Sequence, residues 1–272
     1  MNLKKFSLNK KNSVITGGAG LLGYEHAIAL MELGADIYLL DVSTQKMQQQ
    51  KIKLSKFFPH KKINLYKIDI TKENEIIKFI KKMKKNNKKI DILINNAAID
   101  TKVQKKGMIN SNSIETFKLA RWKYELDVGL TGIFLCCKHI GKYMVENRKG
   151  NIINIASDLS VISPDHRIYN NNKQIKFFKP ITYSAIKTGV VGITKYIATS
   201  WGSKGVRCNA LSPGGIENNQ NKIFIKKVKK LIPMNRLAKR DEYRSAIQFL
   251  SSEASSYMNG HNLIIDGGRS VW

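Results

Sequence analysis

Ser13-Val14-Ile15-Thr16-Gly17-Gly18-Ala19-Gly20-Leu21-Leu22-Gly23 carries a short apolar strand into a glycine turn, and an apolar helix follows to Leu33. Gly34-Ala35 closes that helix, and Asp36-Ile37-Tyr38-Leu39-Leu40-Asp41 reads as a second strand ending in an acid 18 residues after Gly23. Gly18, Gly20 and Gly23 spell G-x-G-x-x-G in strand–turn–helix–strand context, the setting in which that spacing is informative. Glycines there let the backbone approach a pyrophosphate at a helix N-terminus, where unpaired N–H groups and the dipole favour anions. An acid at the end of the second strand suits the adenosine ribose hydroxyls and repels a 2′-phosphate. Asp41 therefore favours NAD(H) over NADP(H), with Lys46 the nearby cation and no arginine in the next few residues.

Strand and helix keep alternating outward from this unit. A helix over 43–57 leads to strand 63–68, which closes on Asp69; a helix over 72–86 leads to strand 90–94 and Asn95-Asn96-Ala97-Ala98. After a looser stretch (99–113), a long helix over 114–147 is expected to break near Gly129-Leu130-Thr131-Gly132. Strand 151–156 ends at Ser157, strand 206–211 runs into Ser212-Pro213-Gly214-Gly215, and a basic segment (217–235) precedes a helix (241–251) and the strand 262–265. The expectation is one α/β domain over residues 1–272: a Rossmann-type, doubly wound parallel sheet of seven strands with helices on both faces. Ligands of such sheets bind beyond the carboxyl ends of the strands. Asp41, Asp69, Asn95, Ser157 and Pro213 would then line one rim.

Thr182-Tyr183-Ser184-Ala185-Ile186-Lys187 opens a further helix. Residues four apart share a helix face, so Lys187 stacks beside the Tyr183 phenol. A nearby cation favours phenolate and moves tyrosine toward the range useful for acid–base catalysis. Tyr169-Asn170-Asn171-Asn172-Lys173 has the same spacing and lies closer to Ser157, but three asparagines favour a turn over a helix. Behind Tyr183, Ile186, Val190, Ile193 and Ile197 recur at helical spacing, which selects Tyr183.

The chain of 272 residues has 42% hydrophobic and 25% charged residues, ordinary values for one globular domain. No apolar run reaches the length of a membrane span and no secretory signal opens the chain, so a cytoplasmic protein with no membrane partner is expected. Cys136, Cys137 and Cys208 fit reduced thiols and form no metal-ligand pattern. The net charge of +27 is spread as solvated lysine; its densest run, Lys81 to Lys89, sits near a helix C-terminus without interleaved aromatics. Specific nucleic-acid binding is not expected.

With the glycine turn, Asn95-Asn96-Ala97-Ala98, Ser157, Tyr183/Lys187, Pro213-Gly214 and Asp266-Gly267-Gly268 in this order, the chain resembles the short-chain dehydrogenase/reductase family, single-domain branch, over nearly its whole length. The resemblance implies a hydride transfer between NAD(H) and an alcohol or ketone group. Tyr183 would be the acid/base, Lys187 would lower its pKa and bind the nicotinamide ribose, and Ser157 would hydrogen-bond the reacting oxygen. Thr16, Gly17, Gly20, Leu22 and Gly23 would hold the pyrophosphate, Asp41 the ribose, and Asp69 and Ile70 the adenine. Asn95, Ala97, Pro213, Gly214 and Ile216 would contact the rest of the cofactor. Family members are commonly tetramers or dimers packed through the long helix and the Tyr183 helix, so a homo-oligomer is expected.

Two departures stand out. Gly129 takes the place of the asparagine usual in the long helix, and Asp127 points elsewhere on it. Ser157 and Tyr183 are 26 residues apart, longer than the usual spacing. The extra segment, Pro164 to Lys179, carries Asp165, His166, Arg167, Lys173, Lys176 and Lys179, and Arg167 is the expected reader of an anionic, sugar-like substrate such as a sugar phosphate or nucleotide sugar. The run from Ser157 to Asp165 and the tail Gly267 to Trp272 resemble a subgroup tied to flagellin modification and unusual sugars. A segment over 217–235 would form a substrate lid. Two other readings stay open: a cofactor-binding but catalytically weak regulator, and a nucleotide-sugar lyase or epimerase.

Overall fold

Near-continuous apolar runs such as Ile37 to Leu40 suit strands buried on both faces, and the chain uses them in an all-parallel sheet. The computed structural model describes residues 3–99, 113–169 and 177–272. Seven strands, β1 (Asn12–Thr16), β2 (Asp36–Asp41), β3 (Ile63–Lys67), β4 (Ile92–Asn95), β5 (Gly150–Ile155), β6 (Val206–Pro213) and β7 (Asn262–Ile265), line up in the order β3-β2-β1-β4-β5-β6-β7. Helices α1 (Leu21–Glu32), α2 (Thr44–Phe57), α3 (Glu73–Lys85), α4 (Leu119–Leu126), α5 (Gly132–Cys136), α6 (Lys142–Glu146), α7 (Ile181–Trp201), α8 (Lys222–Lys229) and α9 (Arg244–Ser251) connect them. One apolar layer packs α3, α5, α6 and α7 on one face of the sheet, and another packs α1, α2 and α9 on the other. The chain winds outward from β1 to β3, then restarts at β4 on the other side of β1. That reversal opens a crevice beyond the carboxyl ends of β1 and β4.

The long helix is one rod from α4 to α6 with two π-helical segments, Asp127–Thr131 and Cys137–Gly141. The first coincides with the expected break, and such wide turns inside helices gather at functional sites. Gly129 explains its position. A β-carbon there would lie 2.8 Å from Ile186 Cγ2 of α7, so glycine is what lets the two helices close.

The described start of the insertion packs on the 217–235 segment. Ile168, in the single turn His166–Tyr169, shares a small apolar cluster with Val228 of α8, Ile232 and Leu237, and the Tyr169 ring stacks on Phe224 at 5.5 Å. Tyr169 is thus a packing residue, while Lys173 and Lys176 lie outside the described residues, as does most of the loose stretch after Ile99. Residues of the 217–235 segment thus support the start of the insertion.

His26 of α1 is fully buried, and neither ring nitrogen meets a hydrogen-bond partner among the described residues. The Asn96 amide only partly offsets this burial, which pulls the imidazole pKa down to about 3. Below the unfolded value of about 6.5 the unfolded chain takes up a proton that the native state refuses, so stability falls as pH falls. The expected loss is about 2 kcal/mol between pH 7 and pH 5. Denaturant titrations at both pH values check it: His26→Leu should flatten this part of the slope, and an unchanged slope would show that other groups set it.

Candidate active site

The glycine turn is built by close approach. Gly17 adopts φ +61°, and a β-carbon on it would lie 2.7 Å from Ala97 Cα. One on Gly23 would lie 2.4 Å from the Gly17 carbonyl oxygen. These contacts bring β1, the start of α1 and the loop after β4 together at the crevice. Gly20 stands at the N-cap of α1 with no side-chain cap and no acid in the first turn, so the amides of the turn holding Leu22 and Gly23 face the crevice end without a competing anion. Asp41 accepts from Ala19 N (3.0 Å) and Ser43 N (2.9 Å), fixing its carboxylate between the turn and α2. Gln50 of α2 donates to Gly20 O (3.1 Å) from the other side. Glycines that admit no side chain, an uncapped helix end and a strand-end carboxylate fit a dinucleotide: Gly17, Gly20, Leu22 and Gly23 would hold its phosphates and Asp41 a ribose.

The side chains of Thr16 and Asn95 are engaged inside the protein. Both are fully buried. Thr16 Oγ1 accepts from Asn96 N (3.0 Å) and Ala97 N (3.2 Å), tying β1 to the loop after β4. Asn95 Nδ2 donates to Asn154 Oδ1 (2.8 Å), and Asn154 in turn donates to Thr194 of α7 (2.9 Å), an internal brace from β4 to α7. The sheet is buried on both faces, so a side chain at the end of β4 can point inward. The residue that reaches the turn is Asn96, whose amide donates to Thr16 O (3.2 Å) and Gly17 O (3.1 Å). Asp69 accepts from Thr71 N and Oγ1 at the entry to α3, and Ile70 packs on Gly132. Pro213 ends β6, Gly214 receives the Tyr243 hydroxyl on its carbonyl (3.1 Å), and Ile216 bridges to Ala238.

Tyr183 and Lys187 both lie on α7, as the spacing predicts. Lys187 is buried, and its Nζ donates to Ile155 O at 2.8 Å, which ties α7 to the end of β5 just before Ser157. Its ammonium lies 5.7 Å from the Tyr183 ring centre. The Ser157 hydroxyl donates to Asp158 Oδ1 (2.8 Å) and accepts from Leu159 N (3.2 Å). Asp158 Oδ2 accepts from Arg269 Nη1 at 2.8 Å, in a pair whose side chains are 5% and 10% exposed. Asp158 and Arg269 fall in the two runs 157–165 and 267–272, and the sequence gives neither residue a site role; only the fold brings residues 111 positions apart together.

On the α4 side, buried Glu125 accepts from Arg121 Nε (2.7 Å) and from the Thr182 hydroxyl, one residue before Tyr183. Ile186 closes the space at Gly129, so no polar group enters there, and Asp127 is exposed as expected. Glu125, one turn earlier, is the buried acid on this side of the helix pair.

Arg167 is held within its own turn. Its side chain is 82% exposed, and its fork is bound to Asp165 through Nε–Oδ1 (2.9 Å) and Nη2–Oδ2 (2.8 Å), which holds the Asp165 carboxyl below its ordinary pKa. Pairing within its own turn takes up the geometry proposed for substrate. Among the described residues of the insertion, Lys179 places its Nζ 3.8 Å from the Tyr183 ring centre.

Residues 18–270 match a family model described as enoyl-(acyl carrier protein) reductase. The NAD-dependent glycerol dehydrogenase of Listeria innocua is 32% identical, over 98% of this chain and 97% of its own length. The 2-dehydro-3-deoxy-D-gluconate 5-dehydrogenase of Bacillus subtilis is 31% identical, over 97% and 96%. Among solved structures, the gluconate 5-dehydrogenase of Burkholderia cenocepacia, crystallised with NADP and tartrate, superposes with a TM-score of 0.85 at 25% identity, covering 100% of both chains.

Proposed function

The chain belongs to the short-chain dehydrogenase/reductase family, and from that premise we propose that it moves a hydride between NAD(H) and a carbinol or ketone carbon of a small, sugar-like substrate. The observation that carries this reading is the Lys187–Ile155 bond, which sets the Tyr183 helix against the strand end bearing Ser157. When bound, a nicotinamide accepts or supplies the hydride. Tyr183 takes the hydroxyl proton during oxidation and returns it during reduction. Lys187 stabilises the phenolate form, and Ser157 holds the substrate oxygen in line with the phenol. Its hydroxyl donates to Asp158 in this structure; turned onto the substrate oxygen, the same proton would hold that oxygen while the substrate's own proton goes to Tyr183. A screen of NAD(H) against polyols, sugar acids, sugar phosphates and nucleotide sugars tests the reading. Reduced-nicotinamide absorbance should appear with a sugar-like alcohol, and silence across the screen would remove it.

NAD(H) is the proposed cofactor rather than NADP(H). Asp41 places a fixed carboxylate where a 2′-phosphate would sit. Wild-type kcat/KM should favour NAD(H) at least tenfold, about 1.4 kcal/mol, and Asp41→Ser should narrow the gap. A wild-type preference for NADP(H) would show that Lys46 dominates locally.

A homo-oligomer is the proposed assembly. A groove of ≈ 700 Å³ between α5, α6 and α7 is lined by Phe134, Val145, Ile193, Tyr196 and Trp201, with Phe134 50% and Tyr196 75% exposed. It holds none of the reacting groups and suits the same face of a second copy. Light scattering of Tyr196→Lys should show a smaller particle than wild type; equal sizes would remove this face. Three free, buried cysteines and no helix among the described residues long and apolar enough to cross a membrane support a cytoplasmic setting.

Gly129 favours one other reading, a protein that binds the cofactor but turns over weakly. Ile186 leaves no room there for a side chain that could join a proton relay.

A further inference from the structure

Tyr183 has a lysine four residues behind it as well as four ahead. The two are placed by different means. Lys187 rides on α7, buried, with its Nζ bound to Ile155 O at 2.8 Å. Lys179 lies before the helix, because Pro180 is the N-cap of α7 and a residue preceding proline is driven out of helical geometry. Released from the helical face, its ammonium sits over the aromatic ring, 3.8 Å from the centre against 5.7 Å for Lys187.

The insertion holds it there. The Lys179 N–H donates to His166 Nδ1 at 3.3 Å, and the His166 ring meets Phe178 edge-on at 4.9 Å. Burial lowers the His166 pKa, which keeps the ring neutral and Nδ1 able to accept. The turn carrying His166 is in turn seated on α8 through Ile168 and Tyr169.

We propose that Lys179 is a second electrostatic partner of Tyr183, holding a cation over the ring so that the phenol ionises more readily, and that the insertion seated on α8 puts it there. Phenolate carries more negative charge on the ring than phenol does, so a cation against the π face binds the ionised form more tightly. Among the described residues, the other charged groups around this end of α7 are Lys187 on the helix itself, Glu125 from α4 at Thr182, and the Asp158–Arg269 pair at the turn after β5. Glu125 and Asp158 each have a cation of their own, so neither opposes Lys179 uncompensated. Lys179 acts through Tyr183 and is a positioning residue rather than a proton carrier.

The proposal rests on Tyr183 being the acid/base, but its test reads the protein alone. Ultraviolet titration of tyrosinate in wild type, minus the same titration of Tyr183→Phe, isolates one tyrosine among ten. Lys179→Met should raise that midpoint by about one pH unit, as expected for loss of a nearby opposite charge. Lys179→Arg should hold it near the wild-type value, and Lys179→Gln should repeat the methionine result. In the active protein the pH–rate profile should shift by the same amount. A Tyr183 midpoint that ignores Lys179→Met and Lys179→Gln while rising in Lys187→Met would overturn the proposal and leave Lys179 a surface ring contact. Absence of turnover with the midpoint shift intact would instead count against the proposed reaction and leave this inference standing.

Discussion

Replacing Tyr183 by phenylalanine should remove nearly all turnover, a loss on the order of 100- to 10,000-fold, the usual contribution of a positioned proton donor. The substitution deletes one oxygen and keeps the ring that Lys179 covers, so α7 should keep its place and NAD(H) affinity should stay within a few-fold. Tyr169→Phe is the matched control. Its ring stacks on Phe224 and the stack needs no hydroxyl, so turnover should change little. Steady-state kinetics and cofactor titration of the two variants side by side check the assignment. Equal losses, or a loss only at position 169, would contradict it.

Arg269→Met should give the largest loss of stability. It strands the Asp158 carboxylate, which is 3% exposed, without its cation. Breaking one side of a buried pair costs about 3–5 kcal/mol, whereas replacing both partners can be near neutral. For a domain of this size that is a fall in Tm on the order of 10 °C. Asp158→Asn added to Arg269→Met should recover much of it. Activity should fall further than stability alone explains, because Asp158 orients the Ser157 hydroxyl. If calorimetry places Arg269→Met within about 1 kcal/mol of wild type, the pair behaves like an exposed salt bridge and the clamp is not structural.

The sheet was legible because parallel strands buried on both faces read as plain apolar runs, and the glycine turn because its spacing answers a backbone need. β2 and β7 fall where the sequence puts them, and Tyr183 lies on a long helix, as the asparagines after Tyr169 and the apolar spacing behind Tyr183 predict. What the sequence left hidden depends on contacts between distant segments. Asn95 turns inward only because Asn154 of the neighbouring strand waits for it. Arg167 pairs with an acid two residues away, a pairing the sequence displays but does not rank above a ligand. Asp158, after β5, meets Arg269, after β7, two strands away in the sheet. The second π-helical segment, Cys137–Gly141, has no counterpart in the sequence pattern.

Hydride transfer itself is the central claim, and isotope transfer measures it most directly. Wild-type protein would be incubated with NAD⁺ and glycerol, threitol, xylitol and gluconate, each deuterated at its carbinol carbons, and the nicotinamide examined by mass spectrometry. The account predicts deuterium on the reduced nicotinamide from at least one of these alcohols, and none with Tyr183→Phe. Tight NAD⁺ binding with no deuterium transferred from any of them would contradict it and leave a cofactor-binding regulator in its place.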